Sequence, residues 1–311
     1  LRLSLYIRTG FVKNSIMHIS IATSRDFNFQ RTAMSHGWRE LLPFEFDREH
    51  WTLRRVLDVG EGQWPVTVTI THAHAALNVK LSRRLGKRAA EKVARDVRHI
   101  LRLDDDLNGF HNAMQNDASF TWIAQSGAGR LLRSPSVFED LVKTICTTNC
   151  SWTLTEKMCA NLVNALGSAA DDGRKTFPTP EAMAAAPLEF YQAEMRAGYR
   201  APYFKELAER VASGALDVEA WLTSELPTPE LKREMKSVKG VGDYAAENLL
   251  KLVGRYDVLA LDSWVRAKFA RTRNNGRLAD DKKIARFYSR FKEWRGLALW
   301  CDMTQDWIEE G

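Results

Sequence analysis

The sequence predicts a mainly α protein with a small N-terminal antiparallel β-sheet, an α+β class, and three observations carry that reading. Residues 26 to 81 are rich in β-branched and aromatic residues with turn signals between them. From residue 82 almost to the end, apolar residues recur at helical spacing. Residues 231 to 268, LKREMKSVKGVGDYAAENLLKLVGRYDVLALDSWVRAK, read as helix, Gly-Val-Gly turn, helix, loop and an aspartate opening another helix. With 311 residues, 45% of them hydrophobic, the chain can bury one large core or two linked ones.

The elements follow in chain order. Residues 1–25 are set apart as an N-terminal extension with no assigned role, because the first sixteen, LRLSLYIRTGFVKNSI, carry no obvious partner pattern. Residues 26–110 form the β-rich domain: FNFQRTAMSHGWRELLPFEFD leads into WTLRRVLDV, a Gly60-Glu61-Gly62 turn, WPVTVTIT and ALNVKL. The domain closes with SRRLGKRAAEKVARDVRHIL, residues 82–101, a basic amphipathic helix with Val93, Val97 and Ile100 inward and its charges on a solvated face. Residues 111–311 form a helical domain holding the 231–253 hairpin. In it, helix 134–148 starts at Ser134 with Pro135 in the first turn, and Val137, Phe138, Leu141, Val142 and Ile145 share one face. It runs out at Thr147-Thr148-Asn149. Tyr199 and Arg200 precede a helix with Phe204, Leu207 and Val211 on its apolar side.

Composition narrows the class of function. Lys plus Arg number 45 against 39 Asp plus Glu, a net charge of +6, which suits a polyanionic partner without demanding one. Cys146, Cys150, Cys159 and Cys301 contain no C-x-x-C pair and read as reduced core residues of an intracellular protein, bacterial cytoplasmic or eukaryotic nuclear. His72 and His74 alternate at a strand end with no third ligand evident, so no metal site is expected. No apolar run reaches membrane length and no signal peptide is convincing.

The hairpin is the most informative segment. Leu231, Met235 and Val238 before the turn, and Ala245, Ala246, Leu249, Leu250 and Val253 after it, keep helical register on both sides. Gly240 and Gly242 permit a tight turn and leave room for main-chain N–H groups at the next helix start to meet a phosphate oxygen. Asp262 sits twenty residues past Gly242 at the head of the following helix, where its carboxylate can cap that helix and still present an oxygen for chemistry.

Helix, glycine hairpin, helix and aspartate together resemble the signature of the helix-hairpin-helix superfamily of DNA glycosylases, on the branch of the alkylpurine (3-methyladenine) and 8-oxoguanine enzymes. LRLDDDLNGF (101–110), RLLRSPSVFEDLVKTICTTNCSW (130–152), FPTPEAMA (177–184), AGYRAPYFKELA (197–208) and WRGLALWCDMT (294–304) fall in the order seen there, so the likeness spans nearly the whole chain from about residue 26. It implies a two-part helical architecture and damaged double-stranded DNA as partner, with the protein expected to act as a monomer. Lys239, Gly240, Val241 and Gly242 would hold the phosphate beside the lesion, with a sodium or potassium ion on the hairpin carbonyls. Asn149 would fill the space left by the extruded nucleotide. Tyr199 would wedge into the strand and Arg200 would reach the orphaned partner base, while a second partner-reading arginine corresponds to Leu154. Asp262 would be the catalytic carboxylate. Some members hold an iron-sulfur cluster through four cysteines after the catalytic domain; only Cys301 lies in that region, so no cluster is expected.

The resemblance also sets the reaction type. Bifunctional members place a lysine amine two residues after the second hairpin glycine, where this chain has Tyr244, whose phenol cannot form a Schiff base. The expectation is a monofunctional enzyme that uses water and lacks lyase activity. Leu299 and Met303 stand where oxoguanine enzymes read and sandwich their base. With Trp38, Tyr244, Trp264 and Trp300 they suggest an apolar, aromatic base pocket suited to a cationic alkylated purine held by stacking and cation–π attraction. A glycosylase for an oxidised or deaminated base and a non-catalytic binder of distorted DNA remain as alternatives. Two departures bear on rigidity: Lys239 replaces the usual proline, and Leu259-Ala260-Leu261 before Asp262 lacks one.

Overall fold

A computed structural model describes residues 16–60 and 62–308; residues 1–15, Glu61 of the expected glycine turn and residues 309–311 lie outside them. Five strands come first: β1 (Met17–Ala22), β2 (Phe44–Asp47), β3 (Thr52–Leu57), β4 (Val66–Ala73) and β5 (Ala76–Leu81). They form one antiparallel sheet in the order β1-β5-β4-β3-β2, with Met17 opposite Leu81 and Leu53 opposite Ile70. A short helix, α1 (Phe29–Met34), lies between β1 and β2.

The helical body follows: α2 (Lys87–Ile100), α3 (Asn108–Gln115), α4 (Thr121–Gln125), α5 (Val137–Thr147), α6 (Trp152–Leu166), α7 (Pro180–Ala185) and α8 (Leu188–Ala193). It ends with α9 (Ala201–Ala212), α10 (Thr228–Met235), α11 (Asp243–Leu252), α12 (Ser263–Arg273), α13 (Asp281–Tyr288) and α14 (Arg295–Met303). The expected α+β class is the observed one.

Several expected boundaries move, each for a physical reason. Residues 17–22, assigned to a roleless extension, are the edge strand β1: Met17, Ile19 and Ile21 alternate inward, and the partner β5 lies some sixty residues away. FNFQRTAMSHGWRELL is not extended but forms α1 and a 3-10 turn at Gly37–Glu40, because the Asn28 side chain accepts the Arg31 N–H at 3.0 Å and caps a helix. The 82–101 segment becomes helical only at Lys87. Helix α5 begins at Ser136 rather than Ser134, since it is the Ser136 hydroxyl that accepts from the Glu139 N–H at 3.2 Å.

The cores do not divide at residue 110. One core joins the sheet, α2 and the helices from α5 to α11. Arg55 on β3 and Lys143 on α5 both bond the buried Glu139 carboxylate, at 2.9 and 2.6 Å, tying sheet to helices. The second core packs residues 107–131 against 256–303, so it is built from two separated stretches. The chain passes between the cores near residues 103–107, 131–132 and 253–256. Arg102, 1% exposed, sits at these crossings and donates to the carbonyls of Leu131 at 2.9 Å, Lys251 at 3.0 Å and Leu252, and to Asp105. Arg133 joins it, donating to the carbonyls of His99 and Leu252 at 3.0 and 3.3 Å.

Candidate active site

Between the two cores runs a cleft of about 1190 Å³. The first core contributes the 36–40 turn, the end of α5 and the glycine hairpin; the second contributes Asp262, Trp264, Trp300 and Trp307.

The hairpin turns between α10 and α11, and its two glycines serve different ends. Gly240 has φ +88°, a left-handed conformation, and a Cβ there would stand 3.0 Å from the Tyr203 ring. Gly242 is extended, with nothing within 4 Å of a Cβ position, so its backbone stays open to a close approach from the cleft. Val241 is buried between them. Lys239 pairs with Glu206 at 2.5 Å on the surface. Lys232 and Lys236 bond Asp243 at 2.9 and 3.0 Å, and these ammonium groups hold its carboxyl below the usual range.

Asp262 caps α12: its Oδ1 accepts the Val265 N–H at 2.7 Å. The residue is half-buried and lines the same cleft as the hairpin. Tyr244, in the first turn of α11, lines the same cleft. Burial first, then the nearby Asp262 carboxylate, pushes its phenol up, against a hydrogen bond with the Thr147 hydroxyl. Tyr244 therefore stays neutral at physiological pH and offers a ring and a hydroxyl.

At the mouth, Asn149 follows the end of α5 with φ +48°, and its amide donates to the Tyr199 hydroxyl at 3.2 Å. Tyr199 is 54% exposed. Arg200 departs from its expected outward reach. It is 4% exposed, and its guanidinium donates to the Thr148 hydroxyl at 3.1 Å and to the Thr148 carbonyl, while lying 4.5 Å over the Tyr199 ring. A carbonyl at a helix end needs a donor, and Arg200 supplies it. Its role here is to brace Tyr199 and the Asn149 turn.

The residues expected to wall a base pocket do not all reach the cleft. Trp38, Trp264 and Trp300 line the cleft, but Leu299 and Met303 do not; both are fully buried in the second core. Four residues apart on α14, they share the inward face, and Trp300 occupies the face that turns to the cleft. The Trp300 indole N–H donates to the Ser35 carbonyl at 2.7 Å, and that of Trp38 to Asp140 at 2.6 Å, so both rings are fixed.

Sequence reasoning missed His36, Trp152, Tyr203 and Trp307 in this lining, and Lys251 behind it. The Lys251 ammonium lies 4.0 Å from the Trp300 ring centre, 2% exposed and with no hydrogen-bond partner among the described residues. Burial is the main force pulling it down to about 8, with the Asp262 charge opposing. A signal for Lys251 existed: Tyr244, Asn248 and Lys251 stand at i, i+4 and i+7, so the three share one face of the helix.

A glycine hairpin, a carboxylate and several aromatic rings thus line one cleft. The chain belongs to the HhH-GPD superfamily of base excision DNA repair proteins, whose family model matches residues 142–296. No curated protein matches it by sequence. The fold is shared with solved structures. MBOgg1 in complex with a low-affinity DNA ligand is 20% identical with a TM-score of 0.73, covering 99% of each chain. The 3-methyladenine DNA glycosylase of Archaeoglobus fulgidus is 24% identical at TM-score 0.72, over 91% of this chain and 97% of that one. The 8-oxoguanine glycosylase/lyase of Clostridium acetobutylicum, bound to DNA with cytosine opposite 8-oxoguanine, is 17% identical at 0.72, over 97% of both.

Proposed function

We propose that this protein is a monofunctional DNA glycosylase, which everts a damaged base into the cleft and hydrolyses its N-glycosidic bond with water. The observation that carries the reading is the lining of one cleft by Asp262, Tyr244 and the Gly240–Gly242 turn. In this reading the open backbone at Gly242 grips a phosphate at the start of α11, where helix N–H groups favour an anion. Asn149 and Tyr199, bonded to each other, enter the duplex and offset the few kcal/mol that unstacking costs. The Asp262 carboxylate stabilises the oxocarbenium-like sugar as the bond breaks and orients the attacking water. Tyr244 stacks on the everted base.

A monovalent cation at the hairpin fits this scheme. The Val238 and Gly242 carbonyls accept from Val241 and Ala246, while those of Gly240 and Val241 take no backbone N–H among the described residues and remain as donors to a metal. The protein is proposed to work as a monomer inside the cell, with no cluster or other cofactor. The aromatic walls accept an alkylated purine as readily as an oxidised or deaminated base; one observation, the buried Lys251 charge, favours the second group.

The test is a panel of duplexes each with a single lesion, incubated with wild type and Asp262→Asn, with and without alkali. Strand breaks only after alkali, lost in the variant, are expected. An adduct trapped by borohydride would overturn the monofunctional assignment.

A further inference from the structure

We propose that Lys251 and His36 tune the inner wall of this pocket for an uncharged base bearing a carbonyl oxygen, and against cationic 3- or 7-alkylated purines. The inference deepens the glycosylase reading and rests on it for the presence of an everted base. It also replaces the sequence-based expectation that cation–π attraction would select a charged purine.

Lys251 lies on α11 seven residues past Tyr244, about two turns or roughly 10 Å deeper into the protein. Helical side chains lean back toward the N-terminus, which brings this ammonium to the height of a base whose sugar sits at Asp262. It is too far along the helix from Tyr244 to serve as a sugar-attacking amine. Its charge occupies the π system of Trp300, the ring that the cleft presents to a guest. A cation stacked on the other face would share that electron density with a buried positive charge, so the aromatic wall cannot reward it as an unoccupied indole would.

His36 gives a second, independent observation. It lines the cleft, its ring stands 5.6 Å from Trp300 and 4.2 Å from Trp38, and its Nδ1 is buried with no partner among the described residues. Burial first, then the positive charges of Lys251, Arg39, Lys143 and Arg102, hold it far below its ordinary value, so the ring is neutral. Two orphaned polar atoms flank one tryptophan, where buried polar groups are ordinarily satisfied. The negative groups that act on Lys251 are Asp262 and Glu247, with Cys301 beside them. Glu247 is already bound to Lys232 at 2.6 Å, and Asp262 caps α12. A carbonyl oxygen supplies the negative potential this wall lacks, and an adjacent ring N–H suits a neutral imidazole nitrogen. That pair is the lactam edge of deaminated and oxidised bases.

The test separates selectivity from chemistry. Duplexes carry 2′-fluoroarabino nucleotides, whose glycosidic bonds resist cleavage, with either hypoxanthine or 7-methyladenine, the latter a fixed cation. Binding is read by fluorescence anisotropy for wild type, Lys251→Met and Lys251→Arg, each first checked by thermal melting. Wild type is expected to prefer hypoxanthine by about tenfold or more. Lys251→Met should bring the ratio close to one by tightening on the cation, and Lys251→Arg should keep it. If the methionine variant does not fold, the wild-type ratio measured from pH 6.5 to 8.5, where hypoxanthine keeps its ring N–H, serves instead; it should fall as Lys251 sheds its proton near 8. A wild-type preference for the cation, or a ratio indifferent to both Lys251→Met and pH, overturns the proposal. Parallel incubation with cleavable hypoxanthine duplex tests the other reading: absent base release with the ratio intact sinks the glycosylase and leaves the selective pocket standing.

Discussion

In the proposed reading Asp262 meets two demands with one carboxylate. Oδ1 is committed to the Val265 N–H, while Oδ2 accepts no hydrogen bond among the described residues. Asparagine caps a helix as well as aspartate does, so Asp262→Asn should change stability by no more than about 0.5 kcal/mol. Base release should fall by about 10² to 10³, the usual cost of losing an electrostatic stabiliser, as single-turnover assays would read. Lys251 gives the opposite case, a side chain that costs stability. Below pH 8 the folded and unfolded chains are both protonated there, and the full cost of burying charge is present. Between about 8 and its ordinary 10.5 the unfolded chain holds a proton the folded chain has shed, so stability rises with pH. Lys251→Met should therefore be more stable than wild type at pH 7 by roughly 3 kcal/mol, and the gap should close by pH 10.5 in urea titrations. Asp262 was legible because motif and spacing are local. His36 and Lys251 were not, because their meaning comes from Trp300, which reaches them from the far end of the chain.

At the level of elements, the hairpin separates folding from binding. Gly240→Ala forces a left-handed alanine against the Tyr203 ring and should lose about 1 to 2 kcal/mol of stability along with DNA affinity. Gly242→Ala adds a methyl group in open space and extended backbone. It should leave the melting temperature nearly unchanged while weakening duplex binding, since in the proposed reading the methyl stands where the phosphate comes. Equal losses of stability in both would contradict this division. Helices with strong periodicity, α5, α9 and α11, were legible to within a few residues. Strand β1 was not, since six alternating residues say nothing about a partner sixty positions away. Helix α1 was misread because β-favouring Phe27 and Phe29 flank a cap, Asn28, whose hydrogen bond outweighs propensity.

Across the whole molecule, an α+β protein with its sheet first could be read from patterning, but the partition into cores could not. Periodicity shows that a face is buried without showing what buries it, and residues 107–131 find their partners beyond residue 256. Arg102 holds the junction, with neighbouring Arg133 pulled down to about 10 by burial and by the charge of Arg102 itself. Arg102→Met would strip donors from the carbonyls of Leu131, Lys251 and Leu252 at once. A loss of about 3 kcal/mol or more is expected by chemical denaturation, with weaker binding of damaged duplex because both jaws meet there.

The threading of the second core also sets an order of events during synthesis. A ribosome that has released residues up to about 253 has delivered everything the first core needs, the glycine hairpin included. The stretch 107–131 must wait, its apolar side uncovered, until the last quarter of the chain emerges to meet it. Asp262 and Trp300 arrive on that final stretch, so in the proposed reading a nascent chain completes its DNA-holding turn before it gains the carboxylate that would cut a base free.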